Sequence, residues 1–229
     1  MRILYIPRKV NIVREDTVIF INGNYQGKLY SYDPPTKTLT DLKITVAGGA
    51  DVAHTQTKLF VGGNIYSITL NPFTCTLERT VSNVSSGSGL YAINNTTLVG
   101  DMYRPELSSQ ALCLYNVSGS SAIITPLFSI SAAVGGDILY NPSLDRYIIS
   151  TGLDWKLTEY SSSGTIIRQL TAPKAELYGL FQYNNILYAC FADATIYTVI
   201  NGVFNYYDTV NIPYGIYGSS QYREVTITL

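Results

Sequence analysis

Carboxylates are the main stock of groups in this chain that could do chemistry, and six of the 16 acids recur at matching places. Asp51, Asp137 and Glu176 each stand just before an apolar run, while Asp101, Asp154 and Asp193 lie between later runs of the same kind. Matched carboxylates can hold a hard cation such as Ca²⁺ through oxygen ligands, accept the hydroxyls of a polyol, or act as acid and base in a glycosidase or lyase. Other reactive groups are few. His54 is the only histidine, which excludes His-rich metal sites and most His-based triads. Cys75, Cys113 and Cys190 sit in apolar runs with no CxxC pair, and read as buried free thiols. No GxSxG elbow exists, and Gly23-Asn24-Tyr25-Gln26-Gly27-Lys28 is one residue short of a phosphate-loop spacing and is followed by Leu29, so it reads as a hairpin loop.

The elements that must position these groups are strands. Among 229 residues, 46% are hydrophobic and 14% charged, enough to bury a sizeable core. With 15 basic against 16 acidic side chains the formal charge is -1, which argues against a partner held by bulk charge such as nucleic acid. The apolar run Ile3 to Ile6 is too short for a signal-peptide core, and no span approaches the roughly 18 apolar residues of a membrane helix. Neither a signal peptide nor membrane insertion is expected. Short runs rich in Ile, Val, Tyr and Thr are cut by Gly, Asn, Pro or Ser, and no stretch sustains a helical period.

These runs repeat. A four-residue motif appears as LYSY at Leu29, IYSI at Ile65, LCLY at Leu112, LTEY at Leu157 and IYTV at Ile196, at intervals of 36, 47, 45 and 39 residues. Continuing past the end and back through the start, 37 residues lead to LYIP at Leu4, which suggests a sixth copy split between the termini. A second series, Asp51, Gly89, Asp137, Glu176 and Tyr214, marks the start of each copy, and stepping back 38 residues from Asp51 reaches Val13 in VNIVRE. The third unit is longer, with an insertion at Asp101 to Ser109. In the fifth unit four strand-like runs follow one another, separated by the turns Asn184-Asn185 and Asn201-Gly202.

Units of this length with four antiparallel strands resemble the blades of a β-propeller, over the whole chain. The GH and WD signatures of WD40 blades and the paired glycines of Kelch repeats are absent, so no particular family is indicated. The resemblance implies one all-β domain over residues 1–229, a six-bladed propeller with blades near 10–46, 47–84, 85–130, 131–171, 172–210, and 211–229 joined to 1–7. The last blade would be closed by strands from both ends: YGIYGSS and EVTITL inside, RILYIP third. A two-sheet sandwich is the alternative, disfavoured because sandwiches need neither a regular period nor a split repeat.

On a propeller the loops entering innermost strands and those joining second to third strands share one face. That would gather Asp51, Asp137, Glu176, Asp101, Asp154 and Asp193 at the channel mouth as a ring able to bind a cation, Ca²⁺ in the first instance, or a polyol. Twenty tyrosines cannot all point inward on strands whose residues alternate between faces, and an interface is their natural use. Met102, Tyr103 and Arg104 in the insertion, with Trp155 and Tyr214, are the candidate contact residues. The expected function is a non-catalytic structural or adaptor propeller needing no cofactor, making protein contacts in a larger assembly. Compact Tyr- and Thr-rich all-β chains with few lysines resemble components of viral particles, especially tailed phages, and this resemblance implies a virion as that assembly. The alternatives are a glycan-binding propeller stacking sugars on Tyr25, Tyr103, Trp155 and Tyr214, and a carboxylate-dependent glycosidase or lyase.

Overall fold

A computed structural model describes residues 17–22, 27–47, 51–84, 89–104, 109–130, 136–152, 154–221 and 226–229. Among the described residues twenty strands form five antiparallel sheets of four. Blade one takes its inner strand from the far end of the chain: β20 (Ile216–Ser220), followed outward by β1 (Val18–Asn22), β2 (Lys28–Asp33) and β3 (Thr38–Thr45). Blade two is β4 (Ala53–His54), β5 (Lys58–Val61), β6 (Asn64–Leu70) and β7 (Phe73–Thr80); blade three is β8 (Leu90–Asn94), β9 (Thr97–Arg104), β10 (Ser109–Asn116) and β11 (Ile123–Ile130). Blade four is β12 (Ile138–Asn141), β13 (Arg146–Thr151), β14 (Lys156–Ser161) and β15 (Ile166–Thr171). Blade five is β16 (Leu177–Tyr183), β17 (Ile186–Phe191), β18 (Thr195–Ile200) and β19 (Val203–Thr209).

Strand alternation explains how the blades make a ring. In β1, Val18 and Phe20 pack toward blade five while Ile19 and Ile21 pack toward blade two, so one strand serves two cores. Each of five buried clusters lies between two neighbouring blades: one–two, two–three, three–four, four–five and five–one. The outer strands face solvent and read accordingly; β15 is exposed at five of its six positions.

The four-stranded propeller blades agree with the sequence reading, but their number is five, not six. Both sequence series had five members, and the structure uses each once. The motifs at Leu29, Ile65, Leu112, Leu157 and Ile196 lie in the third strands β2, β6, β10, β14 and β18, and the second series precedes the inner strands β4, β8, β12, β16 and β20. The sixth member of each series was an extrapolation. Blade five packs directly on blade one, with Phe20 and Phe181 rings 6.0 Å apart and Tyr32 and Phe181 rings 6.3 Å apart, leaving no space for the roughly 10 Å that another sheet layer needs. YGIYGSS does supply an inner strand, for blade one. The EVTITL segment was expected to pair beside it, yet its residues 226–229 form no strand and lodge between blades four and five. RILYIP and VNIVRE lie outside the described residues.

The insertion in the third unit also differs from a simple loop. Asp101 to Arg104 and Ser109 extend the β9–β10 hairpin, with Arg104 opposite Ser109 and Asp101 opposite Leu112.

Candidate functional site

The six candidate acids divide into two groups that do not form one ring. Asp51, Asp137 and Asp101 are buried, whereas Glu176, Asp154 and Asp193 are exposed. Asp101 lies inside β9 and not in a loop, because the longer hairpin places it in the ladder.

Asp51 and Asp137 act as caps that join blades. Asp51 Oδ1 accepts the Val52 N–H at 2.7 Å, opening its own blade, and Oδ2 accepts the Leu90 N–H of blade three at 2.6 Å. Asp137 repeats the pattern, accepting Ile138 N–H at 2.7 Å and Leu180 N–H of blade five at 2.7 Å, with the Ser219 hydroxyl of blade one 3.0 Å from Oδ2. Burial drives both acids upward. Asp51 lies well above the usual carboxylate range, pushed by burial and then by the charge of Asp137, while its amide bonds pull the other way. Asp137 is raised to about 8, again by burial and against its amide and hydroxyl donors.

The closing strand β20 meets a buried titratable group at three consecutive residues. Gly218 lies so close to Asp51 that an added Cβ would sit 2.1 Å from its Oδ1. Ser219 reaches Asp137, and the Ser220 hydroxyl is 2.7 Å from His54 Nδ1. Burial lowers His54 to about 4, so it is neutral at physiological pH. Two of the carboxylates read from sequence as a cation or polyol ring, Asp51 and Asp137, are thus in contact with the closing strand. Among the described residues no group of three or more His, Cys, Asp or Glu is arranged to hold a metal ion.

The exposed acids lie where second-to-third-strand turns and inner-strand approaches were expected. Asp193 follows β17, and the Lys174 ammonium at 2.5 Å and the Thr195 hydroxyl hold it below the usual range despite partial burial. Glu176 precedes β16 with φ 64°, its N–H on the Gly152 carbonyl and its own carbonyl accepting Ala192 N–H. Trp155 and Tyr214 share this face, 46% and 60% exposed, in the left-handed backbone region at φ 56° and 67°. The Trp155 turn is that of Gly27 and Ala194: in each case the residue's carbonyl accepts the N–H of the residue that follows the blade's outer strand, Ala172, Val46 and Val210 respectively. Of the insertion candidates, Met102 is half-buried against the core between blades two and three, while the side chains of Tyr103 and Arg104 lie outside the described residues, as does Tyr25. Ser219, Ser220 and Thr226–Leu229 read in the sequence only as strand residues; their contacts with Asp137, His54 and Glu159 are not marked there, since those partners lie far away in the chain.

Cys113 and Cys190 are buried as expected, whereas Cys75 is only half-buried, its thiol pushed up to about 11 by burial.

No protein-family model matches the chain, and no curated protein matches it in sequence. Its fold is nonetheless shared with solved structures. A chain from a nidogen/laminin complex aligns with a TM-score of 0.58 at 8% identity, over 89% of this chain and 97% of that one. A Bacteroides caccae protein of unknown function gives 0.50 at 11% identity, over 87% and 74%. The Cps50 (Swd1) β-propeller domain of Myceliophteria thermophila gives 0.46 at 15% identity, over 83% and 68%. The class is a β-propeller, with five four-stranded blades among the described residues.

Proposed function

We propose that this is a non-catalytic binding propeller that makes protein–protein contacts through the face carrying Trp155 and Tyr214. The observation behind this reading is that two bulky aromatic residues are held exposed in left-handed backbone, each at a cost of roughly 1–3 kcal/mol, where glycine would serve. Strain kept at an exposed aromatic is a reason to look for function, and Trp and Tyr are enriched among residues that dominate binding energy. The buried acids already have donors, which leaves little for acid–base work. The similar chain in a nidogen/laminin complex offers a precedent for the fold in a protein assembly. The finer reading, a component of a tailed-phage virion, rests on composition alone and is tested by mass spectrometry of purified particles.

The decisive experiment compares Trp155→Ala and Tyr214→Ala with the parent chain in capture from the source particle or cell. Each should lose its partner, by at least tenfold in affinity for a dominant contact, while retaining the parental Tm. Retention of every partner by both variants would reject this face. Turnover of a glycoside or uronide polysaccharide by the parent chain would instead favour an enzyme. Calcium titration is expected to leave Tm unchanged, because Asp51 and Asp137 are already occupied by amide donors.

A further inference from the structure

A groove of about 520 Å³ opens where the outer strands of blades five and one meet, within the size range of small-molecule sites. Its walls include Tyr30, Leu39 and Asp41 from blade one, and Asp208, Val210 and Pro213 from the end of blade five and the link that follows. Tyr30 is 5% exposed, its ring buried in the core between these two blades. Among the described residues its hydroxyl has no hydrogen-bond partner, yet it is not sealed from solvent, and the groove is the space it lines. A buried ring that holds its hydroxyl at a solvent-open groove presents a fixed donor and acceptor that a ligand can take over from water.

The neighbouring groups define what ligand fits. Asp208 Oδ2 accepts the Tyr32 hydroxyl at 2.6 Å and Oδ1 the Thr209 N–H at 2.9 Å, which fixes the carboxylate and leaves lone pairs for further donors. Asp41 is set the same way by the backbone N–H of Lys43 at 2.8 Å and its ammonium at 2.6 Å, and that ammonium holds the acid below the usual range. Lys37 lies on the same wall, donating to the Tyr207 carbonyl at 2.6 Å, with its ammonium 4.2 Å from the Tyr207 ring centroid. Two carboxylates are thus matched by two ammonium groups, so net charge recommends neither an anion nor a cation. Fixed acceptors, one free phenol and the apolar surface of Leu39, Val210 and Pro213 suit a neutral ligand with many hydroxyls and apolar C–H faces.

We infer that the groove between blades five and one is a binding site for a neutral saccharide, with Tyr30, Asp41 and Asp208 recognising its hydroxyls. The groove adjoins Tyr214 through Pro213, but the saccharide reading does not rest on the protein-contact reading.

The test uses the full chain and four probes, maltose, cellobiose, lactose and N,N′-diacetylchitobiose, at millimolar concentration, read by saturation-transfer NMR and calorimetry. Tyr30→Phe removes the hydroxyl while keeping the ring in the core, and Asp41→Asn alters an exposed acceptor, so both should keep the parental Tm. At least one probe should bind, and each variant should weaken it by about threefold to tenfold, the loss of one hydrogen bond. No binding by any of the four, or binding of equal strength in both variants and the parent, would overturn the proposal.

Discussion

The Ser219 hydroxyl has one proton and two acceptors within reach, Asp137 Oδ2 at 3.0 Å and the Leu180 carbonyl at 2.9 Å. With Asp137 ionised, Ser219 must choose between them. With Asp137 protonated, the acid donates to Ser219 Oγ and Ser219 donates to Leu180, so every proton has a place. That agrees with the upward displacement of Asp137 to about 8 by burial. An acid raised on folding stabilises fully below its unfolded value, near 4, and that stabilisation is lost as pH rises through about 8. His54 works in the opposite sense: lowered to about 4, it favours the fold above pH 6.5 and loses that contribution as pH falls toward 4. His54 opposes the raised acids, Asp137 and with the same sign Asp51, below pH 6.5, which leaves the carboxylate effect visible above it. Calorimetric stability should therefore fall by roughly 1–2 kcal/mol from pH 6.5 to 8. Asp137→Asn, less stable at every pH because its single amide oxygen cannot accept both the Ile138 and the Leu180 N–H, should show a flatter profile in that window. An unchanged slope would assign the proton elsewhere. The sequence displayed Asp51 and Asp137 at the starts of strands; it could not display their burial, because their partners Leu90, Leu180 and Ser219 are 39, 43 and 82 residues away.

Thr226 to Leu229 reads in sequence as part of a strand, from its alternating apolar residues, and its structural use is different. Ile227 and Leu229 join the core between blades four and five, and polar groups on both blades hold the backbone. Gln182 pairs with Thr226, accepting its N–H at 2.8 Å, while Asn141 donates to the Ile227 carbonyl at 3.0 Å. The buried Glu159, ion-paired with Arg146 at 3.0 Å, accepts the Leu229 N–H at 3.1 Å, and Arg168 donates to the Leu229 carbonyl at 2.8 Å. The pattern apolar–polar–apolar is the same for a strand and for a segment wedged between two sheets, so periodicity alone could not separate them. Removing residues 226–229 takes an almost fully buried Ile out of the core between blades four and five and deprives Glu159 of an amide donor. Burial of that side chain is worth about 1.5–3 kcal/mol, which for a chain of this size corresponds to a Tm lower by about 3–12 °C in differential scanning calorimetry. Ile227→Ser should give most of that loss, and a Tm within a degree of the parent in both variants would mean that the segment does not hold these blades.

Five cores between five blades make the molecule a ring in which every blade is needed to cover two others, and the repeat made this architecture legible where the single motifs did not. The count went astray at one point only: a 37-residue wraparound looks like another period, and sequence has no means of seeing that Phe20 and Phe181 already touch. The ring closes through β20, whose register on β1 pairs Ile19 with Ser220, Phe20 with Ser219 and Ile21 with Gly218. Ending the chain after Pro213 would strip β1 of that partner and expose its edge, which is a template for pairing with another chain. It would also remove Ile216 from the core between blades five and one, and leave Asp137 and His54 without Ser219 and Ser220. Such a buried acid and imidazole lose their hydroxyl partners at the same time as the apolar cover, so the damage extends to blades two and four and is not confined to blade one. The truncated chain should therefore fail to unfold in a single cooperative transition, and should associate in size-exclusion chromatography, whereas the full chain should show one transition by tyrosine fluorescence and by far-UV circular dichroism. Supplying residues 214–229 as a separate peptide should recover part of the lost Tm, since the closing contacts require the strand but not its covalent link. A truncated chain that stays monomeric with the parental Tm would show that the ring is closed by something other than β20.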